Sequence, residues 1–192
     1  MIKTDFLIIG GGVVGLSIAR ELKLRDPGRA VTVLEKERAP GLHSSGRNSG
    51  VLHSGIYYPP TSLKARVCTV GAREMAEYCT ANRLPLDRRG KVLVPVNEAD
   101  GVQLDVLTER GAANGVTVQR LNASELAELE PEARSATGEA LWVPSTAVGS
   151  AAAVMEQLAA DYKAALGPKA RAWSPAPCAK ARSASPPASS IR

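Results

Sequence analysis

The chain has 192 residues, enough for one domain with a sizeable core, or one domain and part of another. Its 44% hydrophobic and 22% charged residues are ordinary for a globular protein. The net charge of +5 hints at nucleic acid, but residues 167–192 hold five basic side chains and no acid; without them 19 basic residues balance 19 acids, so no nucleic-acid partner is expected.

Phe6-Leu7-Ile8-Ile9 is a short apolar run that predicts a buried parallel strand. Gly10-Gly11-Gly12 follows at once, then a helical pattern through Val13, Leu16, Ile18 and Leu22 that Asp26-Pro27-Gly28 breaks. Ala30 to Leu34 predicts a second strand, ending on Glu35. This is a βαβ unit in which Gly10, Gly12 and Gly15 stand at the G-x-G-x-x-G spacing. Gly10 allows the tight turn, Gly12 lets the backbone approach a pyrophosphate, and Gly15 lets helix and strand pack closely. The N–H groups at the helix start suit a phosphate. Glu35, with Lys36 beside it, falls where a carboxylate can accept ribose hydroxyls, which points to FAD or NAD rather than NADP. The alternative is a glycine-rich turn in another α/β domain.

Arg38 to Gly41 reads as a loop, and His43 to Tyr58 carries small polar residues, glycines and both histidines. That run is expected to turn through part of a helix near Asn48 to Leu52. Thr61 or Ser62 caps a helix ending near Asn82. Leu86 to Val96 carries a hairpin-like signal. Glu98 to Asn114 predicts a helix stopped by Gly115, Val116 to Leu121 a strand, and Asn122 or Ser124 the cap of a short helix before Pro131. Glu139 to Val143 predicts a strand, and Ser150 caps a last helix, Ala151 to Leu166, with Val154, Leu158, Tyr162 and Ala165 on one face. The proline- and serine-rich remainder predicts disorder.

The longest weakly polar run, Leu7 to Ala19, is too short and too rich in glycine for a membrane span. The first strand begins so early that no signal or transit peptide is expected, which makes a cytoplasmic setting the expectation. Cys68 and Cys79 lie on one predicted helix, roughly 16 Å apart and too far for a disulfide. No Cys/His cluster has metal-ligand spacing, so no metal is expected.

The glycine turn and the run HSSGRNSGVLHSGIYY together resemble the FAD-dependent oxidoreductases of the D-amino-acid-oxidase-like superfamily, and within it the L-2-hydroxyglutarate dehydrogenase/oxidase family. The likeness runs through Asp5 to Leu16, Leu34 to Glu37, His43 to Tyr58, Ser62 to Ala65 and Gly90 to Val94, and covers about Thr4 to Val148. It departs at Arg47, where that family usually places histidine, and at Ala151-Ala152, where it tends to show Tyr-Arg.

The resemblance implies an α/β fold: a Rossmann-like FAD-binding segment over 1–80, part of an α+β substrate domain over 81–150, a helix over 151–166 and a non-family tail over 167–192, the chain being incomplete. It implies FAD as cofactor and oxidation of a 2-hydroxy acid to a 2-oxo acid, the C2 hydrogen passing to the flavin as hydride. The electron acceptor stays open. Ser44, Ser45, Asn48 and Ser49 join Gly10, Gly12, Gly15, Glu35 and Lys36 as expected cofactor contacts, or else serve loop geometry. His53 is either the base that takes the hydroxyl proton or a structural histidine. Arg47 is either an anion partner or a solvated arginine, and Tyr57 and Tyr58 line the pocket or the core. The alternatives are an amino-acid or glycerol-phosphate flavin oxidase, an NAD-dependent dehydrogenase, and a catalytically inactive nucleotide-binding fragment.

Overall fold

The computed structural model describes residues 3–166 and 173–175. In chain order the elements begin with β1 (Phe6–Ile9), α1 (Val13–Arg25), β2 (Val31–Glu35), β3 (Val51–Leu52), α2 (Leu63–Ala81), β4 (Leu86–Asp87) and β5 (Lys91–Leu93). They continue with α3 (Gly101–Ala113), β6 (Gln119–Asn122), α4 (Ala123–Leu129), β7 (Glu139–Val143), β8 (Ala147–Gly149), α5 (Ala151–Leu166) and β9 (Trp173–Pro175). Two compact units result, Met1–Ser45 with Leu158–Arg192, and Gly46–Gln157. The border expected at residue 80 falls near the end of α2, which packs on β3 and β4 of the second unit.

The first unit is the βαβ unit. β1 and β2 pair in parallel from Phe6 opposite Val31 to Ile9 opposite Leu34, and β9 adds parallel to the other edge of β2. Leu16 and Ala19 of α1 are fully buried, as is Val33 of β2. Past the helix end, the buried Lys23 ammonium donates to the carbonyls of Pro27 and Arg29, which fixes the turn into β2. The Tyr162 hydroxyl of α5 donates to the Val31 carbonyl at 2.8 Å, with its ring fully buried. The expected burial of β1 is not what the structure shows. Leu7 and Ile9 are 54% and 84% exposed, because the order β1-β2-β9 leaves β1 at an edge.

The second unit holds two small antiparallel sheets, β3-β8-β4 and β5-β7-β6. Ile56, Leu104, Leu107, Leu141 and Val143 form one core cluster between α3 and β7. Ser62 caps α2 by accepting the Ala65 N–H. Asn122 and Glu125 form a capping box on α4. The Ser150 hydroxyl accepts the Ala153 N–H at the start of α5.

Several local expectations are corrected. Asn48 to Leu52 is not helical: Gly50 has φ +70°, Asn48 Oδ1 accepts its N–H, and Val51–Leu52 is β3 paired with β8. A Cβ at Gly50 would lie 2.0 Å from the Gly149 carbonyl oxygen, so the strand approach excludes any side chain there. The Leu86–Val96 segment is no hairpin, since β4 pairs with β8 and β5 with β7 around a turn at Gly90. The strand expected at Val116 starts at Gln119, because the Val116 N–H returns to the Gly111 carbonyl at the end of α3. On α5 the buried face is Met155, Leu158, Ala159 and Tyr162, while Ala165 is exposed. Within the tail expected to lack structure, Trp173–Pro175 is the strand β9; residues 167–172 and 176–192, with Cys178, lie outside the described residues.

Candidate functional site

In the first unit the polypeptide leaves β1 through Gly10 at φ +104°, a conformation that side chains disfavour. The Gly10 N–H donates to the Leu34 carbonyl at 2.8 Å, and the Gly11 carbonyl accepts the Gly41 N–H at 3.0 Å. A Cβ on Gly15 would sit 2.0 Å from the Gly10 carbonyl oxygen, so the helix meets the bend at a distance only glycine permits. Gly12 is the N-cap of α1 and supplies no side chain, and the first turn of the helix carries no acid. The Val13 N–H there donates to Ser45 Oγ at 3.1 Å.

Glu35 closes the other side of the bend. The residue is 8% exposed, and its carboxylate accepts the Gly11 N–H at 2.6 Å and the Glu37 N–H at 2.9 Å. Burial pushes this carboxyl up, but the N–H groups of Glu37, Gly11 and Lys36 and the nearby His43 charge together bring it below its ordinary value. A charged carboxylate is therefore held against the glycine turn. Lys36 and Ser44 are exposed, and His43 Nε2 lies 2.9 Å from Glu37 Oε1.

A Cβ at Gly12 would meet only Ser45 Oγ, at 3.0 Å, so this backbone faces a hydroxyl rather than a packed wall. The residues present fit a pyrophosphate over the bend and a ribose at Glu35.

In the second unit the segment from His53 to Tyr58 is tied down at several points. Cys68 Sγ donates to the His53 carbonyl at 3.4 Å. Asn114 Nδ2 donates to the carbonyls of Gly55 and Tyr58 at 3.1 and 3.0 Å, and Arg110 donates to that of Tyr57. Buried Ile56 anchors the segment in the core. The exposed His53 ring stands edge-on to Tyr57, centroids 6.4 Å apart. Lys91 Nζ is 2.8 Å from the Tyr57 hydroxyl, to which it donates, and 4.4 Å from that ring's centroid. Desolvation, and then the Lys91 charge, lower the His53 pKa below its ordinary value, so the imidazole is neutral and able to accept a proton near pH 7.

Asn48 and Ser49 bond their own turn, to the N–H groups of Gly50 and Val51, and Arg47 is exposed. The structure thus gathers Gly10, Gly12, Gly15, Glu35 and Ser45 in one unit, and His53, Tyr57 and Tyr58 in the other. Sequence reasoning did not weigh Gly11, Lys91 or Asn114. Gly11 sits inside the glycine run and Lys91 inside the familial Gly90 to Val94 segment, which were available signals; Asn114 read as a helix stop and as part of the familial Ala113-Asn114-Gly115-Val116 segment.

The profile of the family described as FAD dependent oxidoreductase, DAO, matches residues 5–169. That match reaches through α5, beyond the Val148 limit seen in the motifs. The chain is 43% identical over 146 residues to an L-2-hydroxyglutarate dehydrogenase of Escherichia coli (strain K12), covering 76% of this chain and 34% of that protein. It is 41% identical over 164 residues to the mitochondrial L-2-hydroxyglutarate dehydrogenase of Homo sapiens, covering 85% of this chain and 35% of that protein. Among solved structures, the FAD-bound L-alpha-glycerophosphate oxidase of Mycoplasma pneumoniae superposes with a TM-score of 0.77 at 29% identity, over 86% of this chain and 44% of that one. The chain spans about a third of the length of these dehydrogenases. No helix among the described residues is long and apolar enough to cross a membrane.

Proposed function

The chain belongs to the FAD-dependent oxidoreductase family, and from that premise we propose that it carries the adenosine-diphosphate-binding turn and part of the reaction machinery of an enzyme that oxidises a 2-hydroxy acid of the L-2-hydroxyglutarate type to its 2-oxo acid. The observation that carries the cofactor half is the Glu35 carboxylate held 2.6 Å from the Gly11 N–H. The substrate half is supported by the 41–43% identity to proteins named L-2-hydroxyglutarate dehydrogenase.

Gly10 to Gly15 would seat the pyrophosphate at the start of α1, with Ser44 and Ser45 adding hydroxyl donors. Glu35 would accept the adenosine ribose hydroxyls, with Lys36 at the strand end. Asn48 and Ser49 are assigned to cofactor contact by family position. FAD, when bound, supplies the two-electron acceptor. His53 takes the substrate hydroxyl proton: its ring is exposed, and the Lys91 charge beside Tyr57 favours the neutral base. Arg47 offers a guanidinium to a carboxylate, and Tyr57 and Tyr58 border the substrate. A cytoplasmic setting completes the reading.

The likeness to the glycerophosphate oxidase supports a second reading, a glycerol-phosphate flavin oxidase. The higher identity to the hydroxyglutarate dehydrogenases favours the first. The test is the visible spectrum of the purified 192-residue chain with FAD, recorded anaerobically. Bleaching by L-2-hydroxyglutarate supports the proposal, and bleaching by glycerol 3-phosphate alone supports the rival. A bound flavin that no 2-hydroxy acid bleaches keeps the cofactor half and removes the substrate half.

A further inference from the structure

The second unit contains a cavity of about 310 Å³ that none of the roles above uses. Its polar lining is two guanidinium side chains, Arg73 and Arg88, and four hydroxyl side chains, Ser54, Thr69, Thr117 and Ser145. Among the described residues no Asp or Glu lines it. Leu52, Val116 and Ala147 supply apolar wall.

The charge balance of this lining is wholly positive. Arg73 Nε is 3.9 Å from Glu77 Oε1, but both side chains are well exposed, and such a pair restrains the guanidinium little. Arg88 lies near the buried Cys79: burial pushes that thiol up, and the Arg88 charge offsets part of the rise. Ser54 is 6% exposed, and its hydroxyl finds no hydrogen-bond partner among the described residues.

We propose that this cavity is a binding site for a small organic carboxylate, with Arg73 and Arg88 taking the carboxylate oxygens and the hydroxyls of Thr117 and Ser145 completing its hydrogen bonds. Planar guanidinium groups match a carboxylate in a paired geometry. The apolar wall favours an anion with a short carbon body over inorganic phosphate. The volume accommodates an anion of glutarate size. Binding there involves no chemical step.

The test is the melting temperature of the full 192-residue chain, at fixed ionic strength, titrated with glutarate and separately with inorganic phosphate. Glutarate raises the melting temperature of the wild-type chain in a saturable way, and phosphate raises it less. The double substitution Arg73→Ala with Arg88→Ala weakens the glutarate response about tenfold or more. Arg66→Ala, which removes an exposed charge from the same helix α2 outside the cavity, leaves the response intact. No glutarate response in the wild-type chain, an equal response in the double variant, or a phosphate response matching that of glutarate overturns the proposal.

Discussion

The Gly11 N–H and the Glu35 carboxylate meet at 2.6 Å, joining the glycine bend to the end of β2 across 24 positions of sequence. The same carboxylate holds the Glu37 N–H at 2.9 Å. Replacing Glu35 by alanine would strip the acceptor from both N–H groups, one of them on a buried residue. Glu35→Ala is expected to lower stability by about 3 kcal/mol, read as a shift in the urea midpoint at unchanged slope. A change within ~0.5 kcal/mol would mean these bonds do not restrain the bend.

The sign of the pH dependence at Glu35 follows from its lowered folded-state pKa, against an ordinary 4.5. The unfolded chain binds the proton first as the medium acidifies. The carboxylate's stabilisation is therefore complete above pH 4.5 and is lost as pH falls through the folded-state value. Stability profiles of the wild-type chain and Glu35→Gln are expected to converge across that acid window. Parallel profiles would show that Glu35 does not carry the effect.

Three glycines separate close approach from mere flexibility. Gly15→Ala drives a Cβ to 2.0 Å from a backbone oxygen and is expected to cost about 3 kcal/mol. Gly12→Ala meets only the Ser45 side chain, whose hydroxyl holds the Val13 N–H, so its folding cost is expected to be about 1 kcal/mol, below that of Gly15→Ala, while its dinucleotide affinity falls. Gly71→Ala, in the open on α2, is expected to stabilise by roughly 0.5–1 kcal/mol. Calorimetric melts of the three variants check this order.

Lys91→Met removes the cation that lies 4.4 Å from the Tyr57 centroid and helps depress the His53 pKa. The His53 pKa is expected to rise toward 6.5 without reaching it, since desolvation remains. With only two histidines in the chain, NMR titration resolves it, His53→Gln giving the assignment. An unchanged or lower value would remove Lys91 from the account of the base.

The βαβ unit was legible because every determinant is local. A four-residue strand, a glycine bend, a helix broken by Asp26-Pro27-Gly28 and a strand ending on Glu35 all lie within one stretch, and the observed bounds follow them. The caps were legible for the same reason, with Ser62, Asn122 and Ser150 each acting on the next turn. The sheet β3-β8-β4 was not, because its strands have two or three residues and pair across long sequence distances, with Gly50 pressed against Gly149. At the candidate site, Glu35 was legible from its spacing to Gly15. The pairing of Lys91 with Tyr57 joins residues 34 positions apart, and no spacing rule reaches it.

The central claim is that the glycine bend and Glu35 hold an adenine dinucleotide, and calorimetric titration of the 192-residue chain with FAD tests it most directly. The expected result is saturable binding at one site per chain, weakened about tenfold or more by Glu35→Gln, which removes the charge that orients the ribose hydroxyls. No heat of binding, or equal affinity in wild type and Glu35→Gln, would contradict it.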